Sequence, residues 1–203
     1  MSEQYFTNNP NSEHNLKNFK FELLDENLSF TTDSGVFSGT TIDYGTRVMI
    51  DAFAAEIESV EAGERLLDAG CGYGPVGIAF AKAFGFKVEM IDVNERALSL
   101  ARINADANGV AELVDIHTSD VYSDVHHRDF SAILTNPPVR AGKSVVNAMI
   151  SESYDLLTDG GVMVVVLQKK QGAPSAKKLL EDVYGNCEIL IRDKGYYVLQ
   201  SIK

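Results

Sequence analysis

Leu66-Leu67-Asp68-Ala69-Gly70-Cys71-Gly72-Tyr73-Gly74-Pro75-Val76-Gly77 is the stretch whose reading decides the fold. Two apolar residues and an acid run into three glycines spaced two apart, and an Ala- and Ile-rich segment follows. The pattern predicts a buried strand, a tight turn and a helix N-terminus. Glycine is wanted where the backbone takes φ > 0 or meets a ligand closely. The first turn of a helix also leaves amide N–H groups free for a polar or anionic group. The stretch should therefore cradle a small cofactor at the C-terminal end of a parallel strand.

Two cofactors compete for such a turn. Gly72, Gly74 and Gly77 satisfy G-x-G-x-x-G, and Asp92 follows Gly72 by 20 residues, as a nicotinamide dinucleotide fold requires. Asp68 directly before glycines 70, 72 and 74, however, resembles motif I of class I S-adenosylmethionine methyltransferases, where the acid sits near the methionine ammonium, usually through water. A pyrophosphate site has no use for a carboxylate at that end of the turn, so these residues favour S-adenosylmethionine.

The 203 residues suit one domain, with hydrophobic (45%) and charged (23%) content ordinary for a globular protein and enough length to bury a core without staples. The two cysteines, Cys71 and Cys187, carry no disulfide framework, residues 1–18 are polar, and the apolar run Val162 to Leu167 is too short to span a bilayer. A cytoplasmic setting with no membrane partner and no metal is expected. A net charge of −11 opposes a broad non-specific nucleic-acid surface. Between Arg140 and Lys178, however, six basic residues (Arg140, Lys143, Lys169, Lys170, Lys177, Lys178) face three acidic ones (Glu152, Asp155, Asp159). A local basic rim on an acidic body is compatible with RNA at one place, and equally with ordinary solvated lysines.

Residues 1–18 read as a flexible tail and 19–203 as the single domain, of which 19–44 form a β extension and a loop. Phe19–Leu23 and Leu28–Thr32 alternate apolar and polar around Asp25-Glu26-Asn27, predicting a hairpin. A helix is expected over 46–59. Strands are expected at 65–69, 87–92, 112–118, 130–135 and 162–168, and helices at 75–84, 94–107, 144–157 and 175–184, with Asn94 as an N-cap. The runs 187–192 and 196–202, separated by Asp193-Lys194-Gly195, form a closing hairpin. The fold class is α/β and Rossmann-like: a mostly parallel seven-stranded sheet with helices on both faces and an antiparallel C-terminal hairpin.

Three further strand ends carry chemistry. Asp92, with Val93 and Asn94, ends the second parallel strand, where a carboxylate can accept both hydroxyls of a ribose under either cofactor; the bland alternative is an acid near a helix N-terminus. Ser119, Asp120 and Val121 end the third, where the acid would meet an adenine amino group and Val121 the ring. Asn136-Pro137-Pro138 ends the fourth. Two prolines remove two backbone donors and force extended conformations before them. The loop is rigid and presents the Asn136 side-chain oxygen and the Pro137 carbonyl as acceptors, a pair suited to an –NH2 group.

Asn136-Pro137-Pro138 resembles motif IV of amino-group methyltransferases. Gly35-Val36-Phe37-Ser38 with Asp43-Tyr44-Gly45-Thr46 resembles the G-V-F-S…D-x-G-[ST] segment of the RsmC-type ribosomal RNA guanine-N2 methyltransferases, and Lys169 to Ala176 and Lys194 to Tyr197 resemble that family's C-terminal half. The similarity runs from about residue 19 to 203. It implies that Phe37, Asp43, Gly45 and Thr46 close over S-adenosylmethionine, which Asp68, Gly70, Gly72, Gly74, Pro75 and Val76 also hold. It implies Asn136, Pro137 and Pro138 as the catalytic set, and small-subunit ribosomal RNA as partner. Val139, Arg140, Lys143, Lys169 and Lys170 are the expected substrate contacts. Val139 stands where most amino-group enzymes carry an aromatic or His, so base stacking falls to Phe37, Tyr73 or Tyr44. A protein glutamine or a small-molecule amine is the alternative acceptor. A nicotinamide-dependent oxidoreductase and a non-catalytic binding protein are the alternatives of other classes.

Overall fold

A computed structural model describes residues 14–36, 41–61 and 63–203. The expected strand, turn and helix are present as β3 (Arg65–Ala69), a left-handed turn through Gly70, Gly72 and Gly74, and α2 (Pro75–Phe84). Around them lie β4 (Lys87–Asp92), α3 (Glu95–Ala107), β5 (Val114–Thr118), β6 (Phe130–Thr135), α4 (Lys143–Ser151), β7 (Leu157–Gln168), α5 (Ala173–Tyr184), β8 (Glu188–Asp193) and β9 (Tyr196–Ile202).

The seven strands form one sheet in the order β5-β4-β3-β6-β7-β9-β8. The first five pair in parallel, and β9 runs antiparallel to both β7 and β8. The sheet is buried on both faces, and its central strands read as near-continuous apolar runs, as parallel strands do. Strand order reverses between β3 and β6, which opens a crevice beyond the carboxyl ends of those strands.

A separate two-stranded sheet, β1 (Lys17–Leu23) and β2 (Glu26–Thr32), precedes α1 (Tyr44–Ala54). The expected tail loses Lys17 and Asn18 to β1, where they pair with Thr32 and Thr31; residues 1–13 lie outside the described residues. The hairpin turn is Leu24-Asp25, both at positive φ (54° and 63°), one place earlier than the acidic cluster suggested. Two residues at positive φ match the twist of the flanking strands, so Glu26 and Asn27 enter β2. The helix expected over 46–59 starts at Tyr44 and stops at Ala54. Beyond Ala54 come Glu56, Glu58 and Glu61 with no base, and negative charge opposes the partial charge of a helix C-terminus. The helix expected over 144–157 ends at Ser151 and tightens into a 3-10 turn, Glu152–Leu156.

The hairpin docks on α3 through two buried amides. Asn104 accepts from Thr31 N–H (2.7 Å) and donates to the carbonyls of Thr31 (3.0 Å) and Tyr73 (2.9 Å). Asn108 repeats the exchange with the backbone of Ser29 (2.9 and 2.8 Å). Because Tyr73 belongs to the glycine turn, Asn104 fastens hairpin, helix and turn at one point. Asn104→Ala strands three backbone groups at a fully buried position, and the expected loss is about 2–4 kcal/mol of unfolding free energy in urea.

Candidate active site

The crevice holds a cleft of about 590 Å³, of the size that takes small ligands and cofactors. Its floor is the glycine turn. Gly70 and Gly72 take φ of 76° and 57°, and a Cβ built on Gly72 would meet nothing within 4 Å, so the turn faces open space in a conformation that side chains disfavour. Gly74, also left-handed, does something else: a Cβ there would meet Ile78 Cδ1 at 2.8 Å and Met90 Cε at 2.9 Å. It seats α2 on the sheet and does not line the cleft.

Two carboxylates hold the turn from below. Asp68 is buried, and its Oδ2 accepts from Gly77 N–H in the first turn of α2 (2.9 Å). Asp92 spans the tip of β4, with Oδ2 accepting from Gly72 N–H (2.9 Å) and Oδ1 from Asn94 N–H (2.9 Å). Both line the cleft with Pro75, Val76, Val93 and Asn94. Asn94 is the N-cap of α3, accepting from Arg96 and Ala97 N–H, and its Nδ2 donates to Gly35 O. Its side chain thus caps the helix and ties down Gly35, which lies between β2 and α1. Burial raises the pKa of Asp92. Burial above all, with the nearby charge of Asp92, lifts Asp68 from 3.8 to about 7 against the pull of Gly77 N–H.

Ser119, Asp120 and Val121 line the cleft beyond β5. Val121 takes φ 53°. A β-branched residue there is a genuine outlier, and such strain gathers at ligand-facing sites. Ser119 Oγ donates to Val121 O (3.1 Å) and accepts from Asp124 N–H (3.2 Å), which holds the bend.

Asn136, Pro137 and Pro138 reach the same cleft from β6. The Pro137 carbonyl accepts from Val139 N–H at 2.8 Å and Pro138 sits at φ −73°, ψ 81°, an inverse γ-turn. One lone pair of the expected acceptor is therefore already used, and one remains. The side chain of Asn136 is oriented by α1: Nδ2 donates to Asp43 Oδ2 (3.1 Å) and Thr46 Oγ1 (2.9 Å). Asp43 is the N-cap of α1, with the same Oδ2 accepting from Thr46 N–H. A carboxylate oxygen can only accept from an amide nitrogen, so the flip of Asn136 follows from its partner. Its Oδ1 accepts from no described residue.

Asp43, Thr46, Val139 and Arg140 also line the cleft, with Arg140 exposed. Gly45 does not line it. A Cβ at Gly45 would lie 2.6 Å from the Tyr196 ring, so its smallness admits that ring to the cleft wall. Lys143, Lys169 and Lys170 are exposed and lie outside the lining, although Gln171, next in the chain, belongs to it. Phe37 falls outside the described residues. Of the other aromatic candidates, Tyr73 belongs to the cleft lining but is buried edge-on against Phe19 and Phe30, and Tyr44 lies outside the lining, packs on Tyr196 and donates to Asp193. Among the described residues, the half-buried aromatic of the cleft lining is Tyr196, which was not among the expected stacking residues. The antiparallel register that sets Tyr196 opposite Gln168 brings it there, and the closing hairpin was the one signal for it.

Comparison with known proteins gives the same frame. Residues 27–200 match the family model described as the methyltransferase small domain. An uncharacterized Bacillus subtilis protein, YbxB, is 44% identical over the whole of both chains. Ribosomal RNA small subunit methyltransferase C of Chromohalobacter salexigens is 31% identical over 87% of this chain and 52% of its own length. In structure, the Thermus thermophilus 16S rRNA N2 G1207 methyltransferase, solved with AdoMet and guanosine, superimposes with a TM-score of 0.83 at 24% identity, over 93% of this chain and 50% of that one. The chain thus spans about half the length of the ribosomal RNA methyltransferases it matches. It belongs to the methyltransferase small-domain family.

The raised pKa of Asp68 sets a pH dependence. An acid with a raised folded-state pKa binds its proton more tightly in the native state, so its contribution is complete below pH 3.8 and is lost as pH rises through about 7. Asp68→Asn should remove that slope. In urea unfolding, wild type should lose stability relative to the variant between pH 4 and 8, by up to about 4 kcal/mol.

Proposed function

We propose that this member of the methyltransferase small-domain family methylates an exocyclic amine, guanine N2 of small-subunit ribosomal RNA, with S-adenosylmethionine as donor. The cleft suits that donor. The left-handed turn at Gly70 and Gly72 gives a side-chain-free floor, and Asp92 at the β4 tip offers acceptors for ribose hydroxyls. The Ser119–Val121 bend gives a polar and an apolar edge for adenine. Asp68, engaged with Gly77 N–H, would face the amino-acid end through water. When bound, S-adenosylmethionine supplies an electrophilic methyl group on a sulfonium.

One observation carries the reading. Asp43 and Thr46 fix the Asn136 amide so that Oδ1 is its only group left to accept, beside the Pro137 carbonyl in a proline-locked turn. Two fixed acceptors hold both hydrogens of an –NH2 group and leave the nitrogen lone pair directed away from them. Placement of that lone pair is the main work of the site, since no strong base is needed. A base in a duplex would have to be unpaired to reach it, and Tyr196 gives a flipped ring an aromatic neighbour at the wall. The exposed cations Arg140, Lys143, Lys169 and Lys170 would meet backbone phosphates. The names of the RNA-modifying relatives support the choice of guanine N2 over a protein glutamine.

Asn136→Ala should lower turnover by about 10²–10³-fold while the calorimetric Kd for S-adenosylhomocysteine stays within about threefold. Thr46→Val, which keeps shape but removes one anchor of the amide, should fall between that variant and wild type; a Thr46→Val enzyme with wild-type kcat refutes the anchoring role. Transfer of labelled methyl into unmethylated small subunits, naked ribosomal RNA and a protein fraction tests the acceptor. N2-methylguanosine in the RNA digest is expected, and label confined to protein overturns the assignment. Lys169→Ala with Lys170→Ala should raise KM for RNA and reduce the salt slope by about two with kcat retained.

A further inference from the structure

We propose that Glu89, His117 and His126 form a binding site for a divalent transition-metal ion of the zinc class, apart from the cleft and on the outer part of the sheet. The register of β4 on β5 sets Glu89 opposite Asp115 and Ile91 opposite His117, so Glu89, Asp115 and His117 emerge on one face. Along the chain, no helix stands between β5 and β6. The segment 119–129 makes that connection and brings His126 against Glu89 and His117. His126 N–H donates to Glu89 Oε1 (2.7 Å), His117 Nε2 lies 2.9 Å from the same oxygen, and the two imidazoles stack 3.9 Å apart at 15°. One ligand atom from each of the three residues lies within 4.8 Å of the other two.

Glu89 supplies the independent observation. Its side chain is 1% exposed, and while Oε1 is bonded twice, Oε2 is buried with no hydrogen-bond partner. Buried polar atoms are almost always satisfied, and a carboxylate oxygen without a donor is among the costlier exceptions. A cation held by this carboxylate would relieve it. Two imidazoles and one carboxylate suit zinc, cobalt or nickel, whereas calcium and magnesium prefer oxygen alone. Tetrahedral ligands at about 2.1 Å from zinc lie about 3.4 Å apart, so the group has to contract, and exposed His126 on its loop is the ligand free to do it. His126 Nδ1 is 2.8 Å from Asp115 Oδ2, the outer carboxylate that commonly orients a ligating imidazole. No metal was expected from the sequence because the ligands come from two strands and a loop with no recognisable spacing. An ion here would clip the segment 119–129 to the sheet, and that segment begins with Ser119, Asp120 and Val121 at the cleft.

The test uses tag-free full-length chain, treated with chelator and titrated with zinc chloride by calorimetry, with magnesium chloride as the control. One equivalent of zinc should bind, and zinc should raise the melting temperature. Cobalt should give the visible absorption of a tetrahedral site. His126→Ala, a change at an exposed position, should weaken zinc at least tenfold and abolish the cobalt band, and His117→Ala should do the same. Absence of saturable zinc binding, or binding unchanged in both variants with native circular dichroism, overturns the site. Since neither variant touches the cleft residues, the outcome is independent of the methyl-transfer assays.

Discussion

Everything at the cleft depends on the Asp92 carboxylate, which joins the backbone of the glycine turn to the start of α3. By accepting from Gly72 and Asn94 N–H at 2.9 Å each, it fixes two strand tips and two helix N-termini in one frame. The bond from Gly74 N–H to Cys71 O within the turn and those from Gly70 and Cys71 N–H to Ile91 O leave Gly72 to the carboxylate, and glycines at positive φ lose the most freedom on folding. Asp68 does the corresponding task one layer deeper, gripping Gly77. Burial raises the proton affinity of both acids, and the charge of Asp92 adds to the effect at Asp68. The frame thus gives up some stability near neutral pH to hold a side-chain-free floor open.

The second constraint is the proline turn after β6. Prolines fix the backbone but not the amide of Asn136, whose two ends differ only in their hydrogen bonds. That choice is made by Asp43 and Thr46 at the start of α1, about ninety positions earlier in the chain. The cap that starts α1 and the anchor that aims Asn136 are the same carboxylate oxygen. Folding of α1 and assembly of the amine pocket are consequently one event.

How far the sequence disclosed this follows from the range of the interactions. β3, α2, β4 and β6 were legible to the residue because period, glycine spacing and caps are local signals. So were the positions of Asp68, Asp92, Asp120 and Asn136 at strand tips, which follow once the strands are in parallel order. Shifted ends had local causes read too coarsely: acids beyond Ala54 stop α1, and two left-handed residues move the hairpin turn to Leu24-Asp25. What remained hidden was set by tertiary pairing. Tyr196 reaches the cleft only through its register with Gln168, and Gly45 matters through the ring it admits. Val139 N–H occupies part of the Pro137 carbonyl, which no composition rule foretells. The cluster at Glu89 exists only because β5 lies beside β4.

The N-terminal hairpin is attached in an unusual currency. Asn104 and Asn108 grip the main chain of Thr31 and Ser29, not their side chains. A clasp that reads only peptide groups is indifferent to which residues β2 carries at those points, provided the strand keeps its phase. The outward face of the hairpin is therefore open to drift over evolutionary time, while a single-residue insertion in β2 would unfasten it.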